Sequence, residues 1–68
     1  MSIDRGLRIA RHIYAGNRID TRFIADTFGV SSATAKRDMH AIEAALPVKA
    51  VKERNRVYLA LAPQGGDE

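Results

Sequence analysis

Cysteine is absent from this sequence, and histidine occurs only as His12 and His40. Without thiols there is neither a disulfide framework nor a thiolate metal site. No carboxylates surround the two histidines at zinc-ligand spacing, so a metal centre is not expected. Nothing places Ser, His and Asp together as a catalytic set, and no glycine-rich phosphate loop is present. Neither an enzyme nor a cofactor is therefore expected. No apolar run approaches the roughly 18 residues that a membrane span requires, and no signal peptide is recognisable. With no disulfides and no membrane segment, the expected compartment is the cytoplasm.

The 68 residues leave room for one domain. A chain this short buries only about 60% of its unfolded surface, so every buried residue counts. Eleven Lys and Arg stand against eight Asp and Glu, a net charge of +3. Asp67 and Glu68 belong to the polar stretch 63–68, PQGGDE, which is expected to be a flexible tail. Residues 1–62 then form the domain, and they are more basic than the total. Such a balance favours nucleic acid over acidic protein partners.

The chain is organised around residues 31–45, SSATAKRDMHAIEAA. At 3.6 residues per turn, Ala35, Met39, Ile42 and Leu46 make one apolar stripe. Ala33, Lys36, Arg37, His40 and Ala44 fall on the opposite side, with no carboxylate among them. Alanines permit close approach, while lysine and arginine meet phosphates or guanine edges. A solvated basic helix face is the plainer alternative.

Upstream, residues 3–15 read as a first helix. Ile3, Gly6, Leu7, Ala10, Ile13 and Tyr14 are expected on its buried side, with Ile9 at the margin. Arg8 and Arg11 fall on its polar side, where a solvated face is the favoured reading and a place near phosphates the alternative. Gly16-Asn17 stops it, and Ile19 is placed to add a third strand beside a later hairpin. Asp20 is an N-cap for a short helix over residues 21–28, whose buried stripe is Ile24, Ala25 and Phe28. Phe23 projects the other way and is a candidate interface residue; packing against Tyr14 or the later hairpin within the chain is the alternative. Gly29-Val30-Ser31 breaks the helix, and the small residues around it suit a close crossing of two helices. Two helices joined by so short a turn, the second with a basic face, make a helix-turn-helix. Pro47 ends the third helix. Strand-like runs follow at residues 48–52 and 57–62, joined by Glu53-Arg54-Asn55-Arg56 with Asn55 expected at positive φ. A basic hairpin in this position is a wing. The expected fold is α+β, a three-helix winged helix-turn-helix with a two- to three-stranded C-terminal wing.

Arg5, Ile9 and Ile13 stand at four-residue steps, followed further on by Ser31, Thr34, Ala35, Lys36, Arg37, Asp38 and Met39. This pattern resembles the N-terminal winged helix-turn-helix domain of the DeoR-type bacterial regulators. The resemblance implies binding of double-stranded DNA, with Ser31 and Thr34 capping or touching the backbone and Lys36 and Arg37 on the reading helix. It also brings Asp38 inward, where a carboxylate needs a partner; Arg5 is the candidate. Three features depart from the family. Lys36 stands where Arg or His is usual, and lysine lacks the planar two-donor fork. Phe23 stands where a polar residue is usual. Full-length members continue into an effector domain, so no small-molecule effector is inferred.

The expected DNA-contacting residues are Ser32, Ala33, Thr34, Lys36, Arg37 and His40 of the helix, and Arg54, Asn55 and Arg56 of the wing. A small surface binds weakly alone, so a homodimer on a two-part site is expected, acting as a repressor. The rival is a winged helix used for protein contact, including a phage-type inhibitor or an architectural or excision factor. An anchoring Phe23 would favour it, and a basic reading face disfavours it.

Overall fold

Each helix begins where a short polar side chain caps it. Ser2 accepts from the Arg5 amide at 3.1 Å and opens α1, Ile3–Tyr14. Asp20 accepts from the Phe23 amide at 2.7 Å and opens α2, Thr21–Phe28. Ser31 accepts from the Thr34 amide at 3.1 Å and opens α3, Ser32–Ala45. Each cap satisfies an amide that helix geometry leaves without an intrahelical acceptor. The endings are equally local. Gly29 takes φ 66° after α2. Leu46, held extended before Pro47, ends α3.

Two antiparallel strands complete the α+β fold, β1 at Val48–Glu53 and β2 at Arg56–Leu61. Their register runs from Val48 opposite Leu61 to Glu53 opposite Arg56. Ile19 adds a single-residue bridge to Leu59, with amide-to-carbonyl distances of 2.9 and 2.8 Å in the two directions. The expected third strand is thus one residue long. This computed structural model describes residues 2–63. Apart from Pro63, the expected tail lies outside the described residues.

The core is almost entirely aliphatic. Ile9 and Ile13 of α1, Ile19, Ile24 of α2, Ala35 and Ile42 of α3 and Leu59 of β2 are buried together. Burying each large side chain contributes about 1.5–3 kcal/mol. Ala35 lies in the core while α2 packs closely on α3, so a small residue at the crossing matters. Gly29 does not serve that closeness: a Cβ there would meet nothing within 4 Å. Its role is the left-handed backbone conformation.

Two expectations are corrected. On α1, Ile9 and Ile13 are fully buried, whereas Ile3, Leu7 and Tyr14 stand 83, 65 and 54% exposed. The helix is rotated from the orientation that counting apolar residues gives, and Asp38 explains why. That carboxylate is 1% exposed, and Arg5 grips it through Nε at 2.5 Å and Nη2 at 3.2 Å. Arg5, Ile9 and Ile13 share one stripe. Turning Leu7 inward would draw Arg5 away and leave Asp38 buried and unpaired, a loss of about 3–5 kcal/mol. Leaving Leu7 in water forgoes only about 1.5–3 kcal/mol.

The second correction is at the hairpin tip. Arg54 has φ 55°, and Asn55 is not among the positive-φ residues. The register leaves a two-residue turn, Arg54-Asn55. Positive φ at its first position is a conformation that glycine usually occupies. Asn55 holds the second position, which asks for ordinary φ.

Candidate functional site

The outward side of α3 is set by what its inward side must bury. Ala35, Asp38 and Ile42 are buried and Met39 is half-buried, which leaves Ser32, Ala33, Lys36, Arg37 and His40 exposed. Lys36, Arg37 and His40 line one shallow, open concavity. None of the three forms an ion pair among the described residues. Thr34 is half-buried, and its hydroxyl oxygen lies 3.1 Å from that of Ser31, so the first turn is held by its own side chains.

A groove between α3 and the hairpin is lined by Lys36, His40 and Glu43, with Thr21, Ala50 and Val57 across it. Glu43 was not part of the expected face. It sits at the hairpin-side edge, near the C-terminal end of α3. One carboxylate thus borders the basic side of α3 toward its C-terminal end.

The hairpin is tethered just below its tip by contacts that sequence reasoning missed. Arg18 donates to Glu53, 2.9 Å away, and lies over the Tyr58 ring at 4.6 Å. Hydrogen bonding to Glu53 raises the Arg18 pKa above its ordinary value. Arg56 lies 3.7 Å from the Asp20 carboxylate. Asp20 thus uses Oδ1 to cap α2 and Oδ2 to face the hairpin. The signal in the sequence was the pairing of opposite charges between residues 18–20 and 53–56, which a local reading cannot align. Of the three expected hairpin contacts, Arg54 and Asn55 are exposed at the tip, while Arg56 is turned partly toward Asp20.

Phe23 does not project freely. It is half-buried, packs on the core and stacks on His12, with ring centroids 4.5 Å apart and planes 20° apart. Neither Tyr14 nor the hairpin is its ring partner; α1 supplies it. Arg8 pairs with Asp4 at 3.3 Å on the solvated side of α1. Among the described residues no group of His, Asp and Glu is placed to hold a metal ion, and no helix is long and apolar enough to cross a membrane.

Two charged surfaces therefore stand near each other: the basic side of α3 and the arginine-bearing tip of the hairpin. No family model, curated protein or solved structure matches the chain.

Proposed function

We propose that this chain is a sequence-specific regulator that binds double-stranded DNA as a winged helix-turn-helix domain similar to those of DeoR-type regulators. In this reading α2 and α3 are the helix-turn-helix and the hairpin is the wing. Ser32, Ala33, Lys36, Arg37 and His40 enter the major groove, and Thr34 steadies the first turn against the backbone. Arg54 and Asn55 touch the flanking backbone or minor groove, with Arg56 behind them. The observation that carries the reading is the exposed Lys36–Arg37–His40 face, free of ion pairs among the described residues. The protein acts in the cytoplasm as a homodimeric repressor that blocks polymerase access, and it is not an enzyme.

Selection of bound duplexes from a random DNA pool tests this. Enrichment of a defined motif is expected, in two symmetric halves. Binding must also fall steeply as salt rises, because phosphate contacts release counterions. Failure to enrich any motif, or affinity that ignores salt, would move the assignment to a protein-contact module. That second reading has its own support in the exposed apolar side of α1.

A further inference from the structure

Helix α1 carries two apolar stripes, and the core uses one. Ile9 and Ile13 are buried. Ile3, Leu7, Ala10 and Tyr14 form the second, and its three large residues are among the most exposed apolar side chains of the described residues. Their spacing of four, three and four residues is the d–a–d–a repeat of a coiled-coil seam. Beside this ridge runs a shallow apolar groove floored by small residues, Gly6 and Ala10 of α1 with Ala41 and Ala45 of α3. A ridge next to a groove on one surface is what a twofold contact needs, because the same patch must serve as both knob and hole.

Charge then chooses the partner and its direction. Asp4 and Arg11 lie seven residues apart on one flank of the stripe, both at e positions of the repeat. In an antiparallel pair of helices, e positions face e positions. Asp4 would then meet Arg11 of the partner subunit, and Arg11 the partner's Asp4. In a parallel pair the e positions face g positions, here Gly6 and the buried Ile13, and no ion pair forms. Among the described residues Arg11 has no ion pair. Asp4 has only its exposed contact with Arg8, which water makes cheap to exchange.

We propose that a second copy of this chain docks antiparallel on the Ile3–Leu7–Ala10–Tyr14 stripe of α1. The contact leaves Lys36, Arg37 and His40 uncovered, since none of them lines the groove. As a device that brings two reading helices to one two-part site, the dimer rests on the regulator reading. As self-association it stands apart from DNA.

The test is analytical ultracentrifugation of the chain, without DNA, over a concentration series. A reversible dimer is expected. Leu7→Lys abolishes it while the circular dichroism spectrum holds, as does the melting temperature measured at dilution where the parent chain is also monomeric, because Leu7 is outside the core. Arg11→Glu raises the dimer dissociation constant by roughly tenfold, through two lost pairs and two new repulsions. Adding Asp4→Arg to Arg11→Glu restores it. A monomer at every concentration overturns the proposal, and so does a dimer that Leu7→Lys leaves intact. A double variant no better than Arg11→Glu overturns the antiparallel register. If the dimer behaves as described and no DNA motif is enriched, the regulator reading fails and this inference stands.

Discussion

Asp38 is the residue on which the packing of α1 turns. Its carboxylate has no access to water, so the Arg5 fork supplies what solvent would otherwise supply. Hydrogen bonding to Asp38 raises the Arg5 pKa, with desolvation opposing it. A raised value in the folded state means the arginine side of this pair contributes fully below the ordinary arginine range. It is lost only as pH climbs through the raised value, beyond mildly alkaline conditions. Asp38→Ala is expected to lower stability by about 3 kcal/mol, read as a large fall in melting temperature, with DNA affinity kept below that temperature. An unchanged melting curve would contradict the locking role. Arg54 offers the opposite case. A side chain at φ 55° carries a backbone cost that glycine does not. Arg54→Gly should raise stability by about 1 kcal/mol in thermal unfolding, yet weaken binding to all DNA and flatten the salt slope by about one unit. Stability and affinity moving together would contradict the separation of these roles.

At the level of elements, the helix caps, the turn at Gly29 and the end of α3 before Pro47 were legible because each depends on residues within one turn of the chain. The buried stripe of α3 was legible for the same reason. The face of α1 was not. Counting apolar positions puts Ile3, Leu7 and Tyr14 beside Ile13 and leaves the fully buried Ile9 at the margin, and only the distant carboxylate of Asp38 corrects this. The sequence pairs Arg5 with Asp38, and the rotation of α1 follows only when that pair outweighs the apolar side chains left in water. The stacking of Phe23 on His12 was hidden similarly, since no local pattern says which helix an aromatic ring will lean on. For α3 itself, Arg37→Ala or Lys36→Ala should erase about 1–3 kcal/mol of preference for the selected motif over random DNA in competition binding. A uniform loss across all sequences would assign them to phosphates instead. Phe23→Ala should lower the melting temperature and leave the sedimentation coefficient unchanged, because its contacts lie within one chain.

For the whole molecule, the hairpin is not a free appendage. Ile19 is bonded to Leu59 in both directions, so the segment before α2 grips β2 near its middle. Arg18 on Glu53 and Asp20 facing Arg56 brace it a second time, at the last strand pair before the turn. Asp20→Asn keeps a capping oxygen but loses the charge, and so separates the helix start from the hairpin tether. The expected result is little change in melting and a looser tip in NMR relaxation. These contacts have a mechanical corollary: the strand pair is a lever pinned at its centre by Ile19 and braced just short of its end, so that only the two turn residues swing freely. Hydrogen–deuterium exchange should run slowest at the Ile19 and Leu59 amides and turn fast only at Arg54 and Asn55, and Asp20→Asn should spread that fast zone back into the strands.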